Sequence, residues 1–191
     1  SIGDWAFDPE HALSQMSTAL KERGPDSEGV YLNSPRGVGM AHRRLAIFDP
    51  TESGAQPMTS ASGRYTLVFN GAIYNFLEIR QNLERLGHIF QSKTDTEVIL
   101  SSFDEWGVSD SLNQFNGMFA FAVFDRSSNR VILVRDRLGQ KPLFLAQVDG
   151  HFAFGSTTSC LASLPDPCAS ACGRETCCRP RRPHRCHQCC Y

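Results

Sequence analysis

The amino-acid sequence predicts an α+β fold in which antiparallel sheets pack against helices. Helical patterns cluster early in the chain, whereas strand patterns follow one another in adjacent runs. Adjacent strand runs are typical of antiparallel pairing, and a βαβ repeat would alternate the two patterns instead. The 191 residues are 41% hydrophobic, which is enough for one buried core.

The first predicted elements are a helix and a strand. Asp8-Pro9 has the form of a helix start, a cap followed by proline at the first helical position, and Gly24-Pro25 ends the pattern. Alternation over residues 37–48 predicts a strand with Ala41, Leu45 and Ile47 on one face and His42 and Arg44 on the other.

The middle of the chain predicts a strand followed by two helices. The strand over residues 65–69 is expected to end at Asn70-Gly71, because both residues tolerate the positive φ of a turn. Asn75 is expected to cap the first helix, which ends at Gly87, and residues 94–97 have capping-box spacing for the second. Two strands over residues 117–125 and 130–135 then precede a hairpin of residues 143–148 with 152–155, which turns at Asp149-Gly150.

Composition excludes several classes of function for the body of the chain. The net charge of -1 gives no reason to expect nucleic acid as a partner. The apolar runs are too short to span a bilayer, and the first residues carry acid rather than the basic start of a signal peptide. We therefore expect a soluble, cytoplasmic protein that does not bind membranes.

Residues 166–191 differ sharply from residues 1–165, so we predict a domain over 1–165 and a separate tail. All eight cysteines lie between Cys160 and Cys190, and from residue 166 onward there is no Leu, Ile, Val, Met, Phe or Trp. Such a segment cannot bury enough apolar surface to order itself, so disorder or translation out of frame is expected. Zinc binding by Cys186 and Cys189 with Cys177 or Cys178 is the alternative, and a basic arm for nucleic acid is a third.

Three sites within residues 1–165 could bind a substrate or take part in catalysis. Arg44 is either a substrate cation or a charge on the solvent face of its strand. Asp95 is either a substrate anion or an acid favoured in the first turn of a helix by the helix dipole. Asn70-Gly71 is either a simple turn or a pair of hydrogen-bond donors suited to an oxyanion hole.

Six strings of the sequence resemble a known family when they are taken together and in order. The family is the class II glutamine amidotransferase domain of glutamine-hydrolysing asparagine synthetases, and the resemblance covers about residues 9–165. The strings are Arg23-Gly-Pro-Asp26, His42-Arg-Arg-Leu45, Asn70-Gly-Ala-Ile-Tyr-Asn75, Asp95-Thr-Glu-Val98, Gly117-Met-Phe-Ala-Phe-Ala122 and Arg135-Asp-Arg-Leu-Gly-Gln-Lys-Pro142.

The resemblance implies a fold and an activity. The fold is an N-terminal-nucleophile hydrolase, a four-layer sandwich of two antiparallel sheets between helices. The activity is hydrolysis of L-glutamine to glutamate and ammonia, which a synthetase domain transfers to an acyl-adenylate in converting aspartate to asparagine. That domain would be the partner in cis or in trans, and it would use the ATP and magnesium, so no cofactor or metal is expected in this chain. A homodimer is also considered.

The resemblance also implies roles for individual residues. Arg44 would hold the substrate carboxylate, with Leu45 and Ile47 giving backbone or wall contacts. Asn70 and Gly71 would form the catalytic oxyanion hole, and Asp95 would bind the substrate ammonium.

Two features depart from the family pattern. The family relies on an N-terminal Cys nucleophile followed by an apolar strand, whereas this chain begins at Ser1 and opens a helix at Asp8-Pro9. The family has Asn-Gly-Glu where this chain has Ala72, so one of two anions for the ammonium is replaced. We therefore expect a glutaminase domain without its first strand and without activity on its own. The alternatives are an inactive glutamine-binding or structural pseudo-glutaminase and a zinc-binding interaction protein.

Overall fold

A four-stranded antiparallel sheet forms the centre of the molecule in this computed structural model, which describes residues 8–45, 54–148 and 150–164. Its order is β3–β4–β5–β6, and its members are β3 (Met58–Thr59), β4 (Tyr65–Ile73), β5 (Gly117–Asp125) and β6 (Arg130–Arg135). The longest pairing joins β4 to β5, from Tyr65 opposite Asp125 to Ile73 opposite Gly117. A nine-residue strand buried on both faces explains the apolar run of β5, whose last seven residues are buried.

Two helices cover one face of this central sheet. They are α2 (Phe76–Arg85) and α3 (Asp95–Gln114), and α3 contains one non-helical residue, Gly107, with φ 77°. Alternate residues of β4 and β5 pack with them into one aromatic-rich core, which includes Phe69, Phe103 and Phe121. Phe103 lies at the middle of this core, with ring centroids 5.7 Å from both Tyr65 and Phe121.

Two antiparallel strand pairs cover the opposite face of the central sheet. One pair is β1 (Ser27–Asn33) with β2 (Val38–Arg44), and the other is β7 (Phe144–Val148) with β8 (His151–Gly155). Residues of both pairs, Met40 of β2 and Phe154 of β8 among them, pack on Val68 and Ala122 of the central sheet.

The outermost layer on this side is helical. Ala12 and Met16 of α1 (Pro9–Thr18) pack with Val148 of β7, and α4 (Thr158–Ala162) contributes Leu161. The order of layers is therefore α2 and α3, the central sheet, the two strand pairs, then α1 and α4. This is the predicted sandwich of antiparallel sheets between helices.

The prediction that β4 ends at Asn70-Gly71 is wrong. The strand continues to Ile73, and neither residue adopts the positive φ of a turn. Because Tyr74 N–H also donates to Asn116 O at 2.7 Å, the chain leaves the sheet only after Ile73. Asn70 and Gly71 remain in the strand because they pair with Ala120 and Phe119 of β5, about 50 residues further along the chain, and not with a neighbouring strand.

The predicted helix caps are correct in position and partly wrong in mechanism. Asp8 caps α1 by accepting from Glu10 N–H, and Thr94 caps α3 by accepting from Glu97 N–H. Asn75 precedes α2 but makes no capping bond, since its side chain instead donates to Gln114 O and accepts from Asn116 N–H. Asn75 therefore ties the start of α2 to the connection between α3 and β5.

Several predicted features lie outside the described residues and are not compared with the structure. Asp149 and the Cys-rich tail lie outside the described residues, as do Ser1 and Ile47. The division into residues 1–165 and 166–191 therefore stays a prediction. Within the described ranges, no helix is long and apolar enough to cross a membrane.

Candidate functional site

Arg44 is held at the end of β2 by the loop that precedes β1. Asp26 N–H donates to the carbonyl oxygen of Arg44 at 3.0 Å. A Cβ at Gly24 would lie 2.5 Å from the carbonyl carbon of Arg43, so only glycine lets this loop run so close to β2. The first of the six strings, residues 23–26, therefore acts by positioning the second.

Gly54 brings the end of β2 close to the beginning of α3. A Cβ at Gly54 would collide with the guanidinium group of Arg44 and would lie 3.1 Å from Cγ2 of Thr94. Asp95 follows Thr94 as the first residue of α3. The sandwich thus carries a cation, Arg44, and an anion, Asp95, at the same end.

Asp95 is bound to the last residue of β4. Its Oδ2 accepts from Ile73 N–H at 3.0 Å. Burial raises the pKa of the Asp95 carboxyl group, and the backbone N–H groups of Ile73 and Thr96 oppose that rise by donating to the carboxylate. A half-buried carboxylate held in this way favours a cationic partner.

Gly71 lies on the edge of β4 that faces away from β5. Phe119 directs its own N–H to Asp136 Oδ2 and its carbonyl oxygen to Asp136 N–H, so the Gly71–Phe119 pair exchanges no backbone hydrogen bonds. The N–H of Gly71 therefore points to the same edge as the N–H groups of Phe69 and Ile73. β3 covers this edge only as far as Leu67.

Glycine is required at position 71 by the close approach of β5. A Cβ there would collide with the carbonyl oxygen of Met118 and would lie 2.7 Å from the Cα of Phe119. The side chains of Asn70 and Ala72 point to the opposite face from Phe69 and Ile73, since side chains alternate along a strand. Asn70 and Ala72 therefore share the face that is turned towards the two strand pairs.

Two residues that the sequence analysis gave no role hold the backbone just before Asn70. Phe69 N–H donates to Gln56 Oε1 at 2.6 Å, and the Phe69 carbonyl oxygen accepts from His42 Nε2 at 3.2 Å. Gln56 Nε2 also donates to Thr96 Oγ1 at 3.2 Å, so Gln56 joins β4 to α3. Strand alternation placed His42 on the same face as Arg44, and this could have indicated a role for His42. Nothing in the sequence indicated a role for Gln56.

His42 is neutral and incompletely hydrogen-bonded. Burial lowers its pKa to about 4; the bond to Phe69 opposes this shift and the charge of Arg44 adds to it. Because a carbonyl oxygen only accepts, the proton is on Nε2, and the buried Nδ1 is an acceptor without a partner among the described residues. The polar face of β2 is thus turned towards the central sheet, not towards solvent.

A cavity of about 640 Å³ borders part of this site. His42 and Asn70 line it, whereas Arg44, Gly71 and Asp95 do not. We take this edge of β4, which no described strand covers beyond Leu67 and which we call the open edge, as the candidate site, because Asp95 binds there and the N–H of Gly71 points to it. Leu45 is 55% exposed and does not line the cavity, and Ile47 lies outside the described residues.

The last of the six strings builds a turn beside β5. Asp136 accepts from the N–H groups of Phe119, Leu138, Gln140 and Lys141, and Arg135 donates to the carbonyl oxygens of Gly139 and Lys141. Burial alone would raise the pKa of Asp136, but these donors outweigh burial and lower it. The hydrogen bonds of this string therefore hold β5 in place.

Comparison with known families identifies the domain. The glutamine amidotransferase domain family matches residues 2–174. The chain belongs to this family. Among curated proteins, it is 39% identical to asparagine synthetase [glutamine-hydrolyzing] 3 of Bacillus subtilis over 159 residues, which are 82% of this chain and 25% of the relative.

Other relatives agree with this assignment of a glutamine amidotransferase domain. The chain is 38% identical over 155 residues to asparagine synthetase [glutamine-hydrolyzing] 2 of Bacillus subtilis, covering 81% of this chain and 20% of the relative. It is also 38% identical over 172 residues to a putative asparagine synthetase of Mycobacterium bovis, covering 86% and 26%. The chain thus spans about a quarter of the length of these relatives.

Solved structures support the fold of the amidotransferase domain. The glutamine phosphoribosylpyrophosphate amidotransferase of B. subtilis, complexed with ADP and GMP, superposes with a TM-score of 0.66 at 19% identity, over 81% of this chain and 40% of that chain. A structure described as the allosteric regulatory enzyme of purine biosynthesis superposes with a TM-score of 0.58 at 24% identity, over 65% and 29%. At these identities the likeness concerns the fold alone.

Proposed function

We propose that this domain is the glutaminase half of a glutamine-dependent, asparagine-synthetase-like enzyme. It binds L-glutamine, releases ammonia and passes it to a synthetase domain, where ATP and magnesium activate the acceptor carboxylate. The names of the curated relatives support this proposal. The observation that carries it is the open edge of β4, where Gly71 N–H lies between the contacts of Phe69 and Ile73.

The substrate is held by its two charged groups. Arg44 binds the α-carboxylate of glutamine, and Asp95 binds the α-ammonium. Gly54 supports this arrangement because it allows the guanidinium group to lie against the start of α3. Opposite charges at one end of the sandwich match a zwitterion and exclude molecules that lack either charge.

The reaction proceeds through a tetrahedral intermediate at the glutamine side-chain amide. Gly71 N–H and the Asn70 side-chain amide donate to the oxyanion that forms when the carbonyl carbon is attacked. Gln56 and His42 hold Phe69 and thereby fix the direction of the next two residues. Removal of one such donor typically lowers the rate about 100- to 1000-fold.

A ligand without an ammonium group tests the role of Asp95 directly. Calorimetry compares L-glutamine with 4-carbamoylbutanoate, which is glutamine without its α-ammonium group. Asp95→Asn should weaken glutamine binding about ten- to a hundredfold, since a charged hydrogen bond is lost, and should leave 4-carbamoylbutanoate binding unchanged. Arg44→Gln should weaken the binding of both ligands, because both carry the carboxylate.

Matched substitutions far from the edge of β4 provide the controls. Asp110→Asn makes the same change on an exposed residue of α3, and Arg137→Gln makes it on an exposed arginine. Both should bind like the parent protein. If Asp95→Asn lowered the affinity for both ligands equally, an ammonium site at Asp95 would be contradicted.

A second candidate function is glutamine binding without hydrolysis. Ala72 is the observation behind it, because the chain departs there from the family pattern, beside the proposed oxyanion donors Asn70 and Gly71. Measurement of ammonia release by the complete enzyme distinguishes the two functions: binding without release supports the second candidate.

A further inference from the structure

Three backbone N–H groups at alternate positions of β4 point to its open edge. Phe69 N–H donates to Gln56 Oε1 at 2.6 Å, and Ile73 N–H donates to Asp95 Oδ2 at 3.0 Å. Between them lies the N–H of Gly71. Side chains thus take the two outer groups, and the middle one is the proposed oxyanion donor.

The two outer contacts fix the position of Gly71 N–H from both sides. Residues whose N–H groups share an edge are two apart, so each outer N–H lies about 7 Å from that of Gly71 along the strand. The peptide units between them are planar and leave the chain little freedom. A shift of Gly71 N–H towards or away from a bound substrate would strain one of the two bonds.

Both outer contacts lead to the first turn of α3. Asp95 is the first residue of this helix, and Thr96 is the second. Gln56 Nε2 donates to Oγ1 of Thr96 at 3.2 Å, and Thr96 is buried. The start of α3 therefore holds β4 at two points, directly through Asp95 and indirectly through Thr96 and Gln56.

The two bonds of Gln56 determine the orientation of its side-chain amide group. A backbone N–H can only donate, so the amide oxygen faces Phe69 and the amide nitrogen faces Thr96. The main chain of Gln56 is confined as well, since a Cβ at Gly29 of β1 would collide with its carbonyl oxygen. Gln56 therefore sets the distance between β4 and the start of α3.

We propose that Gln56 is a positioning residue that, through Thr96, holds the N–H of Gly71 in place relative to Asp95. The inference rests on the proposed function, in which Asp95 binds the ammonium group of glutamine and Gly71 N–H binds the oxyanion. Gln56 acts on the oxyanion donor and not on the ammonium site, because Asp95 keeps its own bond to Ile73. Loss of the link from Gln56 therefore weakens stabilisation of the oxyanion and leaves ground-state binding of glutamine intact.

Thr96→Val tests this proposal on the complete enzyme, because it removes the acceptor of Gln56 Nε2 and keeps the size of the side chain. Ammonia release is measured over a range of L-glutamine concentrations. The kcat should fall about two- to tenfold while KM stays unchanged, since only the transition state is affected. Thr96→Ser keeps a hydroxyl group and should retain the parental kcat.

Thr66→Val is the matched control for a purely structural effect. Thr66 is also a buried residue bordering this part of the fold, on β4, and its Oγ1 lies 3.2 Å from Oγ1 of Thr59. The substitution therefore removes one hydroxyl hydrogen bond of the same strand. It should lower the free energy of unfolding and leave both kcat and KM unchanged. Unchanged kcat and KM in Thr96→Val as well would show a structural role alone and would overturn the proposal, as would a rise in KM at constant kcat.

Two-dimensional NMR of the full chain tests the geometry without any reaction. Gln56→Met removes both bonds of the side chain, so it should speed hydrogen exchange at Phe69 and shift the backbone amide signal of Gly71. Thr96→Val should shift the Gly71 signal in the same direction, and Thr66→Val should leave it in place. A Gly71 signal that moves in neither Gln56→Met nor Thr96→Val would overturn the proposal. Absence of ammonia release by the parent enzyme would instead contradict the proposed function, and the NMR result would then decide separately whether Gln56 holds Gly71.

Discussion

His42 gives the domain a stability that depends on pH. Its ring is neutral in the folded state because burial lowers its pKa to about 4, whereas an unfolded histidine titrates near 6.5. Between these values the unfolded state binds more protons than the folded state. The free energy of unfolding therefore falls as the pH falls from about 6.5 to about 4.

We predict that this loss is about 3 kcal/mol, from 1.36 kcal/mol for each pH unit between the two pKa values. Urea unfolding of the parent protein and of His42→Gln, measured at several pH values from 7 to 4, isolates the contribution of His42. The unfolding free energy of the parent should fall towards low pH relative to that of His42→Gln. Parallel pH profiles would contradict a buried neutral His42.

Ala72 lies two residues beyond Asn70 and one before Ile73, the residue that Asp95 binds. Its side chain shares the face of Asn70. We predict that Ala72→Glu tightens glutamine binding about ten- to a hundredfold by restoring a second anion for the ammonium group. Calorimetry measures the change.

Ala72→Gln is the control for this substitution, because it adds the same bulk without the charge. It should bind glutamine no more tightly than the parent protein. Equal affinity of the parent and Ala72→Glu would mean that Asp95 alone satisfies the ammonium.

At the scale of an element, Gly71 sets the distance between β4 and β5. We predict that Gly71→Ala lowers the free energy of unfolding by about 1–3 kcal/mol or more, because the new methyl group collides with the backbone of Met118 and Phe119. Chemical denaturation measures the loss, and hydrogen exchange at Gly117 and Phe119 locates it.

Gly63→Ala is a useful comparison, because a Cβ at Gly63 meets nothing within 4 Å, although the residue has a positive φ of 72°. Its effect should be confined to the turn before β4. Unchanged exchange at Phe119 in Gly71→Ala would contradict the steric role of Gly71.

The elements that the sequence predicted are those with a strong local pattern. The pattern of β5 and the cap at Thr94 were sufficient, because each is decided by neighbouring residues. The extension of β4 through Asn70-Gly71 was not predicted, since it depends on pairing with a distant strand. β1 was missed as well, because only its pairing with β2 compensates for a sequence that begins Ser-Glu-Gly.

The candidate site likewise combines residues that a local sequence pattern indicated with contacts that depend on distant parts of the chain. Arg44, Asp95, Asn70 and Gly71 were proposed from the six strings, and their roles stay predictions. The hydrogen bond of Gln56 to Phe69 was not predicted, because it joins parts of the fold that carry no shared sequence pattern. The turn predicted at Asn70-Gly71 is wrong, since β4 continues through both residues.

At the scale of the whole molecule, the order of layers followed from the family resemblance and not from periodicity. Periodicity tells which face of an element is apolar, but two strand pairs and a four-stranded sheet can stack in several ways. The tail remains the part of the molecule for which composition alone makes a prediction.

We predict that the full chain holds no stoichiometric zinc, because residues 166–190 contain no aliphatic residue larger than Ala except Pro and therefore cannot support a packed metal site. Metal analysis after dialysis under reducing conditions is the measurement. One zinc per chain that is lost when Cys186→Ser and Cys189→Ser are combined would establish the alternative.

The two side-chain bonds to Phe69 also determine the register of β4. A slip of one residue would turn Asn70 towards α2 and α3 and would direct the N–H of Gly71 at β5, since the side-chain period of a strand is two. Such a slip would have to break the bonds from His42 and to Gln56 together. These two residues therefore fix the register of β4. A domain that loses both could keep its sheet while the Asn70 side chain and the Gly71 N–H no longer face the substrate.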